Sequence, residues 1–510
     1  MCGILASFNN NHNKADYIKS LGLMVHRGPD NTGSYFNEET NTFLGQNRLA
    51  IIDLDPRSNQ PFKLGNYLMV YNGEIYNYKE LIIEHKLDVK TKSDTEVLLS
   101  MYDKYGPKCL DYFNGMFAFV IYDLKNKNFF VARDRLGIKP LYYRNIGNKW
   151  IFSSEISSLL SLEDSEFDNF GLRQYKKLRM TIKGYTVFKD IKIFPPGYFL
   201  HNYQFKQYWN FKIIQKDKPD EENLRWLIED SVRLRKRSDV PVGAYLSGGL
   251  DSTILTALLR PDDSWTVGFK ELNEFEWSNI ANENIRSNHH QIVVGKKEYL
   301  DTAKWMIRKR REPLSVPNEV LIYLMTKQVK IKNTVVLSGE GADELFWGYD
   351  RIFKWANSAK VLNLSDFDKY YCYGSDIDNE IIDFALEGID GDSVLDKIAY
   401  YFQIHHLQGL LRRLDNSTML CSVEARVPFV DHRLVELLAG TPFKWKMGDS
   451  FKEPLKSIFA DLLPSEIINR KKVGFPVPLD SVFPDTPEKE TAMDSWLMFN
   501  INNFKEKFLD

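Results

Sequence analysis

The residues best suited to chemistry lie in one short stretch, Tyr245-Leu246-Ser247-Gly248-Gly249-Leu250-Asp251-Ser252. The apolar run before it, at 240–246, predicts a buried strand, and apolar residues recur at helical spacing across 252–259. Glycines at such a junction let the backbone approach a ligand, and the free N–H groups of a helix N-terminus favour phosphate oxygens. The stretch therefore predicts a cradle for the phosphates of a nucleoside triphosphate.

Asp251 and a missing lysine indicate what kind of phosphate site this would be. A carboxylate repels phosphate oxygens unless a cation lies between them, so Asp251 predicts a bridging Mg²⁺. The stretch lacks the lysine that ends a Walker-type loop, which argues against an ordinary kinase or GTPase. On spacing alone, a plain connection between a strand and a helix remains an alternative.

A second potential nucleophile lies at the start of the chain. Cys2 follows the initiator methionine, whose removal would leave one residue carrying both a thiol and an α-amine. The amine titrates near pH ~8 and the thiol near ~8.5, so the amine can assist proton transfer at neutral pH, as in N-terminal nucleophile hydrolases. A cysteine at position 2 is usually incidental when it stands alone, so this interpretation depends on companion motifs.

Such motifs follow in order along the first half of the chain. They are His26-Arg27-Gly28-Pro29-Asp30, Arg48-Leu49-Ala50-Ile51-Ile52-Asp53, Tyr71-Asn72-Gly73-Glu74-Ile75-Tyr76-Asn77, Ser93-Asp94, Gly115-Met116-Phe117-Ala118-Phe119 and Arg133-Asp134-Arg135-Leu136-Gly137-Ile138-Lys139-Pro140-Leu141-Tyr142-Tyr143. Together with Cys2, they make the chain resemble the class II glutamine amidotransferases.

The chemistry of these motifs suits a free amino acid such as glutamine. Arg48 can form a fork onto a substrate carboxylate, and Asp94 can accept a hydrogen bond from an ammonium. The Asn72 amide and the Gly73 N–H can form an oxyanion hole. The resemblance also assigns Ile51, Ile52 and Glu74 to glutamine binding.

The second half of the chain contains another apolar strand that runs into a glycine turn with acidic residues. It reads Val336-Leu337-Ser338-Gly339-Glu340-Gly341-Ala342-Asp343-Glu344-Leu345-Phe346, and it is followed by Val423-Glu424-Ala425-Arg426-Val427-Pro428-Phe429-Val430-Asp431 and Lys452-Glu453-Pro454-Leu455-Lys456. With the first loop, these stretches resemble the asparagine synthetase family over nearly the whole chain. The resemblance implies an ATP pyrophosphatase domain that converts a carboxylate into an acyl-adenylate, which ammonia from the first domain then attacks.

The resemblance also assigns roles to single residues of this domain. Pyrophosphate is expected beside Ser247, Gly248, Gly249, Asp251 and Ser252, the adenosine part beside Leu246, Val267, Ser338 and Gly339, and Mg²⁺ on Asp251 and Asp343. Glu340 stands where the family has a glutamate associated with adenylate formation and ammonia attack, and Lys452 would neutralise charge on the phosphates. The expected substrates are glutamine, ATP, and aspartate or another carboxylate, and a homodimer is a possible assembly.

The elements that must position these residues fall into two groups. Short strands at 67–71, 116–122, 128–132 and 141–143, with a helix near 95–105, predict a layered α/β or α+β domain. After a helix at 221–235, strands and helices alternate through 240–259, 265–269, 319–329 and 334–337, which predicts a parallel sheet followed by a largely helical tail. With the resemblance, we expect an αββα N-terminal-nucleophile glutaminase domain at 1–210, a polar linker at 215–220 and an ATP pyrophosphatase domain at 217–510.

Composition narrows the class of protein. The 510 residues are 43% hydrophobic and 27% charged with a net charge of −2, which offers no basic stripe for nucleic acid and favours small-molecule substrates. Apolar runs are too short to span a membrane, the first residues do not read as a signal peptide, and the four cysteines are widely separated. We therefore expect a cytoplasmic protein with no cysteine-based zinc site.

The sequence leaves the acceptor of the amide open. The segment 311–319 lies where related enzymes shape the acceptor pocket, and its sequence cannot be matched to the asparagine-forming version. Trp347 replaces an expected glycine, and Lys92 replaces an expected smaller residue. An amidotransferase acting on another carboxylate, such as a sugar, peptide or secondary metabolite, is the close alternative. The intact Cys2 half argues against a ring-closing relative, and complete motifs in both halves argue against a silent glutamine or nucleotide sensor.

Overall fold

The computed structural model describes residues 2–448, 451–488 and 490–506. Its first part contains strands β1 to β12, which are Gly3–Phe8, Asn31–Asn37, Thr42–Arg48, Phe62–Leu64, Tyr67–Ile75, Gly115–Asp123, Asn128–Arg133, Tyr142–Ile146, Lys149–Ser153, Ile191–Ile193, Tyr198–His201 and Gln204–Gln207. Helices α1 to α5 are Lys14–Gly22, Tyr78–Glu84, Asp94–Tyr105, Ile156–Leu162 and Asn169–Leu178.

These strands form two antiparallel sheets that pack face to face. The first sheet has the order β10-β8-β9-β1-β3-β2 and the second the order β12-β11-β7-β6-β5-β4. Strands β1 and β3 pack on β5, α1 and α4 cover the first sheet, and α3 covers the second. The run Gly3–Phe8 is buried throughout because β1 is covered on both faces, which explains why all its residues except Ser7 are apolar or glycine. The predicted αββα layering is confirmed.

The second part contains strands β13 to β17, which are Val242–Tyr245, Asp263–Phe269, Asn288–Val294, Val335–Leu337 and Glu424–Arg426. Helices α6 to α10 are Glu221–Arg235, Leu250–Leu259, Phe275–Ile285, Lys296–Arg310 and Asn318–Val329. Helices α11 to α22 are Ala342–Phe346, Asp350–Ser358, Leu364–Tyr371, Asn379–Leu386, Val394–Tyr401, Leu407–Met419, His432–Leu438, Phe443–Lys446, Glu453–Ile458, Ser465–Asn469, Leu479–Val482 and Ala492–Glu506.

The five strands of this part form one parallel sheet in the order β15-β14-β13-β16-β17. The chain runs outward from β13 to β15 on one side and continues with β16 and β17 on the other, so the direction of strand addition reverses between β13 and β16. Ligands in open parallel sheets bind outside the carboxyl ends of strands at such a reversal. The two predicted glycine loops follow β13 and β16, and the predicted parallel sheet and helical tail are confirmed.

Some local predictions differ from the structure. Helix α7 begins at Leu250 and not at Ser252, because Gly249 already adopts the extended geometry of a helix N-cap; Asp251 and Ser252 therefore lie in the first helical turn. The predicted helical tail contains a π-helical turn, at Phe402–His406, between α15 and α16. Strand β15 was missed because Asn288-His289-His290-Gln291 is polar and gains its strand geometry by pairing with β14.

The interface between the two parts contains buried charged groups. Arg27 and Lys139, from the first part, donate to the two oxygens of the Asp415 carboxylate at 2.8 and 3.3 Å. Asn114 donates to Asp431 at 3.1 Å. These pairs fix the orientation of the two parts, because an unmatched charge in this interface would be costly. Within the described residues, no helix is long and apolar enough to cross a membrane.

Candidate active sites

The stacking of the two antiparallel sheets brings Cys2 against Asn72. Cys2 directly precedes β1 of the first sheet, Asn72 lies on β5 of the second, and the Cys2 backbone N–H donates to Asn72 Oδ1 at 3.0 Å. Burial raises the pKa of the Cys2 thiol, opposed by the positive terminus, by a backbone hydrogen bond from Leu49 and by the charge of Arg48. The thiol therefore needs a nearby base to become a nucleophile.

Asn72 offers a free donor beside this thiol. Its Nδ2 is buried and has no hydrogen-bond partner among the described residues. A buried donor without a partner is costly, so native proteins keep few of them. At Gly73 the backbone lies so close to β6 that a Cβ atom would be 2.1 Å from the Met116 carbonyl oxygen. A free amide donor next to a nucleophile is the arrangement that an oxyanion hole requires.

Arg48 and Asp94 are both buried close to this pair. Arg48 ends β3 and donates to Asn59 Oδ1 at 2.8 Å and to the Ile52 carbonyl at 3.4 Å, and the structure gives it no carboxylate partner in the part of the chain that it describes. Asp94 opens α3 and accepts from the Tyr71 hydroxyl at 2.8 Å and the Ile75 N–H at 2.9 Å. Ile51 and Ile52 are also buried. The guanidinium thus retains an uncompensated charge for a carboxylate ligand.

Glu74 connects this site to the second part of the chain. Burial and the neighbouring charge of Glu424 raise the pKa of Glu74 well above its usual range. Arg426 lies 3.6 Å from Glu74 Oε1 and also pairs with Glu424. The sequence placed Glu424 and Arg426 in a motif without a role, and the structure shows that they border the glutamine-binding candidates.

The first glycine loop has the geometry of a ligand cradle. Gly248 adopts φ +71°, and a Cβ atom there would lie 2.3 Å from the Trp277 carbonyl carbon, so a side chain is excluded. The Ser247 and Ser252 hydroxyls are 3.1 Å apart, and the Gly249 N–H donates to Ser247 Oγ at 3.2 Å. The loop is therefore held by its own hydroxyls at the N-terminus of α7, where phosphate oxygens bind favourably.

This loop opens into a cavity of about 770 Å³ at the carboxyl ends of β13, β14 and β16. The cavity brings together most of the residues predicted for ATP and for catalysis, namely Leu246, Ser247, Gly249, Asp251, Ser252, Val267, Ser338, Gly339, Glu340, Asp343 and Lys452. Gly248 lies in the same loop and supports its turn. Residues separated by two hundred positions in sequence thus share one site.

Two lysines contact the carboxylates predicted for Mg²⁺. Lys452 Nζ contacts both Asp251 and Asp343, and Lys472 Nζ also contacts Asp343. Burial raises the pKa of Asp343, but the two ammonium groups outweigh burial and hold it below its usual range. Burial also raises the pKa of Asp251, against the lowering effect of Lys452. The two lysine charges therefore compensate the two aspartate charges in this site.

The two carboxylates fit a magnesium ion whose remaining ligands are phosphate oxygens and water. Within residues 2–448, 451–488 and 490–506, no three acidic, histidine or cysteine side chains are grouped as metal ligands. Mg²⁺ commonly uses only one or two carboxylates together with substrate phosphates and water. Asp251 Oδ1 is buried without a hydrogen-bond partner in the described structure, so it is available as a ligand.

Glu340 borders the same cavity and pairs with Arg413 of α16. Arg413 also donates to Asn318 Oδ1 at 3.0 Å. Val316, Pro317 and Asn318 line the cavity, so the segment whose sequence could not be matched does border the site. Arg413 and Lys472 were not predicted from the sequence. Their only signals were pairs of basic residues, Arg412-Arg413 and Lys471-Lys472, and the fold was needed to place them.

Trp347 and Lys92, the two residues that depart from the family pattern, lie outside this cavity. Trp347 adopts φ +58°, a left-handed conformation that explains why a glycine is expected there. Its buried ring stacks on Phe353 at 5.3 Å. Lys92 is exposed, and its backbone N–H donates to Asp53. Neither side chain lines the cavity, so neither changes its shape directly.

Comparisons with known proteins match both halves of the chain. A family described as "Glutamine amidotransferase domain" matches residues 1–209, and one described as "Asparagine synthase" matches 223–495. Glutamine-hydrolysing asparagine synthetase 1 of Bacillus subtilis is 32% identical, over 94% of this chain and 87% of the relative. Asparagine synthetase B of Escherichia coli is 28% identical over 93% and 82%. The amidase chry2 of Gibberella zeae is 26% identical over 89% and 84%.

Proposed function

Because the chain belongs to the asparagine synthetase family and carries a glutamine amidotransferase domain ahead of the synthase domain, we propose that it is a glutamine-dependent asparagine synthetase. It hydrolyses glutamine to glutamate and ammonia, adenylates aspartate with ATP, and forms asparagine with release of AMP and pyrophosphate. The observation that carries the proposal is the single cavity in which the phosphate loop, the Asp251 and Asp343 carboxylates and Glu340 meet.

In the first domain, at 1–210, the Cys2 thiolate attacks the side-chain amide of glutamine. The α-amine freed by methionine removal takes the thiol proton, which burial otherwise holds in place. The free Asn72 Nδ2 and the Gly73 N–H stabilise the oxyanion. Arg48 binds the α-carboxylate of glutamine, and Asp94 and Glu74 face its α-ammonium. Ile51 and Ile52 form the wall behind Arg48.

In the second domain, at 217–510, the residues around the first glycine loop hold ATP. Ser247, Gly248, Gly249 and Ser252 bind the pyrophosphate portion, while Leu246, Val267, Ser338 and Gly339 contact the adenosine portion. Lys452 neutralises charge that develops on the phosphates. Mg²⁺, held by Asp251 and Asp343, would neutralise the triphosphate and orient it. Glu340 accepts a proton as neutral ammonia becomes an amide.

The acceptor assignment is tested by a screen of carboxylic acids. The purified chain is incubated with ATP, Mg²⁺, glutamine and one acid at a time, and AMP and the new amide are both measured. We expect aspartate to give the highest kcat/KM, with AMP and asparagine formed in equal amounts. Turnover of another acid while aspartate stays inert would contradict the asparagine assignment and leave the ligase chemistry in place.

The close alternative is a ligase of the same mechanism that uses another carboxylate. The same screen decides it, with sugar acids, short peptides and aromatic acids beside aspartate. The absence of AMP formation with every acid, together with intact glutamine and ATP binding, would instead favour a sensor. A cytoplasmic location and a homodimer are further proposals, which fractionation and sedimentation would test.

A further inference from the structure

A second cavity, of about 430 Å³, lies between the two domains, and its lining shares no residue with that of the cavity around Asp251. The first domain contributes Trp209 near its end and the residues that follow β7, and Phe211 follows directly after that domain. The second domain contributes the end of α15, the π-helical turn Phe402–His406 and the start of α16. Cavities of this size at domain interfaces are common binding sites for small molecules.

The charge around this cavity has one sign. Arg133, Arg135, Lys183 and Arg412 line it, and none of the described residues in its lining is an aspartate or glutamate. Arg412 reaches only the Thr181 hydroxyl and carbonyl, at 3.4 and 3.3 Å. Arg135 donates to the carbonyls of Phe113 and Leu110 at 2.6 and 3.1 Å. Both guanidinium groups therefore hydrogen-bond to neutral oxygens and can still bind an anion. Burial raises the pKa of the Glu312 carboxyl and the charge of Arg412 lowers it, and Lys183 pairs with Glu387 at 3.6 Å.

A half-buried histidine, His405, lines this cavity. Burial, with a smaller effect from the charge of Lys183, lowers the pKa of His405 to about 4. The imidazole is therefore neutral at physiological pH and adds no charge to the cavity. It adds a flat face to the wall of the cavity.

The wall of the cavity also holds a buried, unsatisfied polar group. Gln403 is 2% exposed, and its Oε1 has no hydrogen-bond partner within the described chain. Buried side-chain oxygens nearly always have a partner, in the protein or from a bound molecule. Gln403 belongs to the π-helical turn, and such turns in α-helices are frequent at functional sites.

Aromatic side chains from both domains form the apolar walls. Phe211 lies 5.8 Å from Tyr400 across the interface and 6.0 Å from Trp209, measured between ring centroids. Tyr143 and Tyr198 line the cavity as well. Such walls accept a planar apolar body, while the guanidinium groups accept its negative charge.

From this combination we infer that the interdomain cavity is a second binding site, for an organic anion with an aromatic body and a hydrogen-bond donor. The anionic group lies toward Arg412 and Arg135, the ring packs against Phe211 and Tyr400, and a turn of the Gln403 side chain brings its Oε1 to the donor. The inference does not depend on the proposed function, since binding there requires no turnover.

The probe for this site is 8-anilinonaphthalene-1-sulfonate, which has a sulfonate, fused aromatic rings and an N–H group. Its fluorescence is titrated against the full chain with Mg²⁺ and the non-hydrolysable adenosine 5′-(β,γ-imido)triphosphate, so that the first cavity is filled. We expect one equivalent to bind saturably. Arg412→Gln should weaken binding by about 10-fold, the loss of one charge-assisted contact.

Gln403→Met is the second variant, and it keeps the test decisive if Arg412→Gln does not fold. It removes the hydrogen-bonding group and conserves side-chain volume, and it should weaken binding of the probe several-fold. Arg57→Gln is the matched control, because Arg57 is exposed, pairs with Asp55 and does not line the cavity. The affinity of this variant for the probe should equal that of the unmodified chain. Absence of saturable binding, or equal affinity in Gln403→Met and the unmodified chain, would overturn the inference.

Discussion

Cys2 is the residue whose replacement separates the two proposed chemistries. Cys2→Ala removes the nucleophile for glutamine but leaves the cavity around Asp251 untouched. We expect glutamine-dependent amide formation to be lost and ammonium-dependent formation to stay within about twofold of the unmodified chain, because only the nitrogen donor reaction requires the thiol. Both rates are measured as amide formed per minute at saturating ATP.

The control for this variant is Cys109→Ala, since Cys109 is also fully buried but lies in the turn after α3. It should retain both activities. If a folded Cys2→Ala variant lost the ammonium-dependent reaction as well, the division of labour between the two domains would be wrong.

Asn72 allows a test of the oxyanion hole with almost no change of shape. Asn72→Asp keeps an oxygen that accepts from the Cys2 N–H and removes the free Nδ2 donor. The kcat of glutamine hydrolysis should fall by about 10²- to 10³-fold, with a much smaller change in KM, because the lost donor acts on the transition state. A steady-state glutaminase assay measures both constants, and an unchanged kcat would exclude this role.

Asp251 tests the metal and phosphate chemistry in the same way. Asp251→Asn keeps the side-chain size and removes the charge that Lys452 and a cation would share. Pyrophosphate release should fall by at least about 10²-fold, since a preorganised charge is lost. Glutamine hydrolysis should persist. The matched control is Asp262→Asn at an exposed position. Normal pyrophosphate release by Asp251→Asn would contradict the proposed metal role.

At the scale of elements, helix α18 carries a lysine in an unusual environment. Lys446 is buried, donates to the Leu438 carbonyl at 2.8 Å and lies 4.4 Å above the Trp347 ring. Burial, helped by the charge of Lys216, lowers the pKa of Lys446 from 10.5 to about 7. Between these two values the unfolded chain binds more protons than the folded chain, so the stability contributed by this site rises with pH.

Lys446→Met should therefore be more stable than the unmodified chain at pH 7, and its advantage should shrink as the pH approaches 10. Thermal unfolding at several pH values measures this difference in Tm. Lys444→Met, an exposed position on the same helix, is the control and should show no such pH dependence. An advantage of Lys446→Met that is the same at every pH would show that the lysine is not the titrating group.

Elements with their own apolar pattern were predictable from the sequence, and elements that depend on pairing with a neighbouring element were not. The run before Ser247 and the periodicity after it predicted β13 and α7, because both elements carry their own apolar pattern. Polar β15 needed its neighbour β14, and the π-helical turn has no separate sequence signal. Likewise Asp251 was proposed from its loop, whereas Arg413 and Lys472 were missed because only tertiary packing brings them to Glu340 and Asp343.

At the scale of the whole molecule, Asp415 joins the two domains. Its carboxylate binds Arg27 and Lys139 of the first domain, and Arg27 also donates to the Cys2 carbonyl at 3.2 Å. All three charged side chains are buried. Asp415→Asn would remove the anion that these two buried cations share, while Arg27 would keep Glu155 at 3.4 Å; breaking a buried pair costs about 3–5 kcal/mol. The loss of free energy destabilises the interface that positions Cys2 relative to the second domain.

We therefore expect Asp415→Asn to uncouple the domains before it inactivates either one. The ratio of glutamate formed to asparagine formed should rise above that of the unmodified chain, because ammonia released at Cys2 no longer reaches the second site efficiently, while synthesis from added ammonium declines less. Asp461→Asn provides the control, since Asp461 is exposed and pairs with Arg225 inside the second domain. An unchanged product ratio in a variant with lowered Tm would mean that the buried pair stabilises the fold without setting the coupling between the sites.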